Sequence, residues 1–97
     1  MKPCDMIKNL MQKYGVNQDE LAEALDVSRL SVNQLYNDRR GITPDMALRL
    51  EKVFGIEASS WMAMQAENDL ECARDYAGED NKHRNVKKLK LPAGVKQ

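Results

Sequence analysis

The stretch "LDVSRLSVNQLYND", residues 25–38, decides how this chain folds. Leu25, Val27, Val32, Leu35 and Tyr36 are its apolar positions, and Ser28 suits a helix N-cap, where its hydroxyl can accept from first-turn amides. Just upstream, "VNQDELAEAL" (16–25) offers Asn17 as an N-cap, with Glu20 three residues on as the reciprocal partner of a capping box. Two short helices, over 16–25 and 27–37, are therefore expected to meet at a very tight joint. Such a joint either closes a small core or presents one helix to something outside.

The side-chain pattern from Gln18 to Asn37 separates these options. Leu21, Leu25, Val27, Val32 and Leu35 fall where two steeply crossing helices must bury side chains, and Ala22 falls where they touch. This is the spacing of a DNA-binding helix-turn-helix. Ser28, Arg29, Leu30, Asn33, Gln34 and Asn37 are left facing outward. That set suits base edges: arginine can bridge guanine, asparagine or glutamine can bridge adenine, and leucine can touch a thymine methyl. Arg39 and Arg40 follow where a loop can meet phosphate, and Gln18 at the start of the first helix can do so from the other side. Asp26 is the departure, since this turn position usually holds glycine with positive φ; aspartate tolerates that region better than most residues.

The flanking sequence supplies three more helices. "PCDMIKNLMQKYG" (3–15) places Pro3 and Asp5 in a first turn, Met6, Ile7, Leu10, Met11 and Tyr14 on one face, and Gly15 as a stop. "ITPDMALRLEKVFG" (42–55) has Thr43 as cap, Pro44 at the first helical position and Gly55 as stop, with Ala47, Leu48, Leu50, Val53 and Phe54 as a buried stripe. A fifth helix is expected from about Glu57 to Tyr76, carrying Trp61, Met62, Met64, Ala66, Leu70 and Ala73, with Gly78 ending the folded part.

With three tyrosines, one tryptophan and one phenylalanine in 97 residues, an all-α fold with an aliphatic core is the expectation. Acid and base balance overall, but residues 81–97 contain no acid, so the body is acidic and the tail basic. The chain divides into a helix-turn-helix domain over 1–77 and a basic, flexible tail over 78–97. "NVKKLKL" in that tail alternates apolar and basic residues, a pattern open to strand addition, phosphate contact or no role.

Cys4 and Cys72 form no disulfide framework and are read as small packing residues of a reduced, cytoplasmic chain. His83 is the only histidine, so no metal cluster of usual spacing can be assembled and no cofactor is implied. No run reaches membrane length. No nucleophile has a base beside it in sequence pattern, which argues against an enzyme.

From Gln18 to Gly55 the sequence resembles the lambda-repressor-like, XRE-type helix-turn-helix family. The block "RRGITPDMALRLEKVFG", followed by "WMAMQAENDLECAR", resembles its HigA-type antitoxins in particular. Arg40, Gly41, Ile42, Thr43, Asp45, Ala47, Leu48, Arg49, Leu50, Trp61 and Gln65 keep the pattern, and the match covers about residues 3–74. Ser60 stands where that family usually has an aromatic residue, and Glu57 where it often has a capping serine.

The resemblance implies a five-helix lambda-repressor-like fold and the antitoxin half of a type II toxin–antitoxin module. Such a protein binds double-stranded operator DNA to repress its own operon, and neutralises a basic mRNA-endonuclease toxin of the HigB type. Glu67, Asp69, Glu71 and Asp75 on the fifth helix offer an acidic face to such a toxin. Reading two half-sites calls for a homodimer, and Met62, Ala66 and Leu70 form a second apolar ridge suited to that contact. A free-standing or phage-type regulator without a toxin remains the alternative.

Overall fold

The computed structural model describes residues 1–80 and 83–90, with residues 77–80 described by their backbone alone. Five helices follow in order: α1 (Pro3–Tyr14), α2 (Gln18–Leu25), α3 (Arg29–Tyr36), α4 (Pro44–Phe54) and α5 (Ala58–Asp80). No strand occurs among the described residues, so the fold is all-α as expected.

The helices begin where their caps place them. Asn17 Oδ1 accepts from the Glu20 amide at 2.8 Å, and the Glu20 carboxylate accepts from the Asn17 amide at 3.1 Å, closing the capping box of α2. Ser28 Oγ accepts from the Ser31 amide at 3.1 Å, and Thr43 Oγ1 from the Met46 amide at 3.2 Å. Each such cap stabilises its helix by about 1 kcal/mol. At α5 the Glu57 carbonyl accepts the amides of Ser60 and Trp61, so the helix starts at Ala58.

One core joins all five helices. Ile7, Leu10 and Met11 come from α1, Leu21, Ala22 and Leu25 from α2, and Val32 and Leu35 from α3. Ile42 closes the α3–α4 loop, while Met46, Ala47, Leu50 and the fully buried Trp61 complete the core. The helix-turn-helix brace is as the spacing requires: Leu21, Leu25, Val32 and Leu35 are buried, and Val27 packs against them half-buried.

Several expectations need correction. Leu48 is 56% exposed, not part of the buried stripe, and Met46 takes that place. Residues two apart on a helix lie about 200° around its axis, so burying Met46 turns Leu48 outward. Tyr14 is also exposed, its ring 5.4 Å from that of Phe54 at the rim. Cys4 is a packing residue and its thiol pKa is raised by burial, but Cys72 is exposed and packs nothing in the core. Finally, α5 continues past Gly78 to Asp80, since a glycine inside a helix costs only about 1 kcal/mol.

Beyond α5, residues 83–85 form a turn closed by the Val86 amide on the His83 carbonyl, and residues 86–90 carry no regular structure. The expected tail falls partly on 81–82 and 91–97, which lie outside the described residues. No helix among the described residues is long and apolar enough to cross a membrane.

Candidate nucleic-acid interface

The joint between α2 and α3 is closed by two backbone hydrogen bonds. The Asp26 amide donates to Glu23 O at 3.1 Å and the Val27 amide to Ala22 O at 3.0 Å. Asp26 adopts φ 56°, ψ 48°, the left-handed conformation its position demanded. A brace not anticipated from sequence reaches it from α4: Arg49 Nη1 donates to Leu25 O at 2.8 Å and to Asp26 O at 3.1 Å. Arg49 Nε also meets Asp45 Oδ2 at 2.9 Å, which orients the guanidinium along α4.

A second unanticipated turn follows α3. Asp38 adopts φ 57°, and the Arg39 amide donates back to Gln34 O at 2.8 Å. Asn37 caps the same end, its Nδ2 donating to Asn33 O at 3.0 Å. Lys2 Nζ lies 3.5 Å from Asp38 Oδ2, tying the start of α1 to this turn; the lysine pKa is raised by that carboxylate. The abrupt reversal carries the chain into Arg39 and Arg40, both exposed.

The outward side of α3 gathers most of the residues expected there. Asn33 Nδ2 donates to Gln18 Oε1 at 3.2 Å, joining the starts of the two elements that face DNA in a helix-turn-helix. Arg29 Nη1 lies 3.2 Å from Asp19 Oδ1, an exposed ion pair with the first turn of α2. Arg40 Nη1 donates to Ser31 Oγ at 2.9 Å, and Ser31 Oγ lies 3.0 Å from Ser28 Oγ. Gln18, Ser28, Arg29, Asn33 and Arg40 therefore share one surface, while Leu30 stands 65% exposed and Gln34 half-buried.

Sequence reasoning missed Asp19 and Ser31, which hold two of these arginines. Their signal was position: Ser31 lies three residues after Ser28 and Asp19 beside Gln18, where neighbouring helical turns meet.

The second group stands apart from this surface. Met62 is half-buried against the core, whereas Ala66 and Leu70 are exposed farther along α5. Glu67, Asp69, Glu71 and Asp75 are exposed on the same segment. No group of three or more histidine, cysteine, aspartate or glutamate side chains among the described residues is arranged to hold a metal ion.

The two short helices, their capped joint and the outward polar face define a helix-turn-helix protein. The chain belongs to the helix-turn-helix family, whose pattern matches residues 7–61. Within that family it is of the XRE type and HigA-like. It is similar to the antitoxin HigA of Pseudomonas aeruginosa, solved with the higBA promoter, at 28% identity and TM-score 0.79 over 98% of each chain. It is also similar to the antitoxin GraA, at 29% identity and TM-score 0.85 over 92% of this chain and 96% of that one.

Among curated sequences it is 48% identical over 65 residues to the HTH-type transcriptional regulator YbaQ of Escherichia coli strain K12, covering 67% of this chain and 58% of that one. The chain spans less than two thirds of the length of the curated relatives it matches first. The family and these neighbours are regulators and antitoxins rather than enzymes.

Proposed function

We propose that the chain is the antitoxin and autorepressor of a type II toxin–antitoxin module. In this reading α3 enters the major groove of operator DNA. Arg29, Leu30, Asn33 and Gln34 meet base edges, while Gln18, Ser28, Asn37, Arg39 and Arg40 meet the backbone around them. The observation that carries the reading is the division of α3 itself. Val32 and Leu35 are sealed into the core, and the opposite side offers an arginine, an exposed leucine and two amide side chains. Support comes from the HigA neighbour, whose structure holds its promoter and which this chain matches along nearly its whole length.

The contact is electrostatically sparse. Arg29, Arg39 and Arg40 are the cations of this face, so the salt dependence should correspond to about three phosphate charges per protomer, a log–log slope near −3. Two of these arginines are engaged by Asp19 and Ser31 and must be released or shared on binding. Two half-sites about 34 Å apart require a dimer, for which Met62, Ala66 and Leu70 on α5 are the proposed seam. The acidic residues of α5 are the proposed complement to a basic HigB-type endonuclease in the cytoplasm.

The test is titration of the chain with its own upstream DNA and with random duplex, beside co-expression with the neighbouring gene product. Operator preference together with relief of growth arrest supports the full reading, and equal affinities for the two DNAs reject sequence reading by α3. Arg29→Ala should cost about 1–3 kcal/mol of discrimination at one operator position. The second reading is a regulator without a toxin, favoured by the similarity to YbaQ, which bears a regulator's name. Failure of the neighbouring product to co-purify, with operator binding intact, selects it.

A further inference from the structure

The loop that carries Arg39 and Arg40 is fastened to α5 by a single side chain. Gln65 Oε1 accepts the Ile42 amide at 2.7 Å, and Gln65 Nε2 donates to Asp69 Oδ1 at 2.8 Å. The loop backbone lies flush against this amide: a Cβ on Gly41 would sit 3.3 Å from the Cδ, Nε2 and Oε1 of Gln65. The Asp69 carboxylate accepts only, so it claims the Nε2 end and leaves Oε1 for the Ile42 amide, which donates only. Asp69 thereby sets which way the glutamine faces.

We infer that Gln65 and Asp69 are positioning residues for DNA binding, relaying the state of the acidic face of α5 to the arginine loop. The inference rests on the reading of Arg39 and Arg40 as phosphate contacts. Neither residue lies among those expected at the DNA face. Both act through the backbone at Gly41 and Ile42, directly after Arg40, whose guanidinium must reach the same surface as Ser31. A partner cation that captures the Asp69 carboxylate competes with Gln65 Nε2 and frees the amide to turn, loosening the loop. Partner binding on α5 and DNA binding at α3 then oppose each other without a contact between the two ligands.

The sign of the effect distinguishes the relay from simple electrostatics. Removing a carboxylate from a DNA-binding protein ordinarily tightens its hold on DNA. Losing the anchor of the arginine loop weakens it. The experiment measures the affinity of the folded full chain for operator and random duplex in Gln65→Ala, Asp69→Ala, Asp69→Asn, Glu71→Ala and Arg40→Ala, with melting temperature recorded beside each.

Gln65→Ala should weaken both DNAs about tenfold and Asp69→Ala about threefold, with the operator-to-random ratio unchanged, as expected for a hydrogen bond acting on phosphate contacts. Asp69→Asn keeps an acceptor for Nε2 and should bind within twofold of the unmutated chain, and Glu71→Ala should bind as tightly or more tightly. Equal tightening in all three acidic-site variants, or Gln65→Ala that melts lower yet binds DNA unchanged when folded, overturns the inference. Weakening by Arg40→Ala with none by Gln65→Ala overturns this inference alone. Arg40→Ala that binds as tightly overturns it together with the phosphate-contact reading.

Discussion

The helices of the helix-turn-helix end differently from the helices on either side. α1 and α4 stop on Gly15 and Gly55, at φ 67° and 76°. α2 and α3 pass through the same left-handed region on aspartates, Asp26 at φ 56° and Asp38 at φ 57°. A Cβ at Gly15 or Gly55 would meet nothing within 4 Å, so only the backbone conformation asks for glycine there. At both aspartates a cation from another element is attached. Arg49 of α4 holds the carbonyls of Leu25 and Asp26, and Lys2 lies against the Asp38 carboxylate. The flanking joints are set by the backbone alone. The two joints that bound α3 accept some strain and are held from outside, which fixes the pitch at which α3 is presented.

The comparison breaks first at Arg49. Arg49→Ala removes two charge-assisted bonds to backbone carbonyls and should lower stability by about 2 kcal/mol in urea unfolding. The Asp45 ion pair on the same side chain is exposed and accounts for only a few tenths of that, about 0.3–0.5 kcal/mol. A loss no larger than the ion pair's share would mean that the Asp26 joint stands unaided. Next in size is Gly55→Ala, which places an alanine in the left-handed region with no steric conflict. Relief of unfolded-chain entropy offsets part of the strain, leaving a net cost of about 1 kcal/mol. Lys2→Ala should cost less than either, under about 0.5 kcal/mol, because its pair with Asp38 is solvent-exposed and screened by salt.

Much of this was legible before any coordinates. The caps Asn17, Ser28 and Thr43 and the stops Gly15 and Gly55 fixed the ends of four helices, because each acts on the backbone within a few residues. The brace was legible because Leu21, Leu25, Val32 and Leu35 repeat at helical spacing. Leu48 was misplaced because α4 is apolar on more than one side, and only its packing on α2 and α5 selects which side is buried. Asp19 holding Arg29, Ser31 holding Arg40, Arg49 holding Asp26 and Gln65 holding Ile42 were not legible. Each is a polar contact between residues that only the crossing of helices brings together. Asp38 was hidden for another reason: "NDRRG" contains a glycine at 41, the ordinary residue for a left-handed stop, while the chain turns at 38 instead.

The smallest expected effect is the most informative about the joints. Asp26→Gly relieves the left-handed strain of an aspartate but gives the unfolded chain more freedom, so the net gain should stay under about 1 kcal/mol. The reverse swap, Gly55→Asp, imposes that strain where no neighbour supports it. Were the two joints alike, gain and cost would match in magnitude. Arg49 makes them unlike, because it already favours the conformation that places the Leu25 and Asp26 carbonyls side by side. Asp26→Gly should therefore gain less than Gly55→Asp loses, and the gap should narrow when both swaps are repeated in the Arg49→Ala chain. If the gap is the same in both backgrounds, the difference between the joints lies in local sequence, and the guanidinium supports nothing but its own hydrogen bonds.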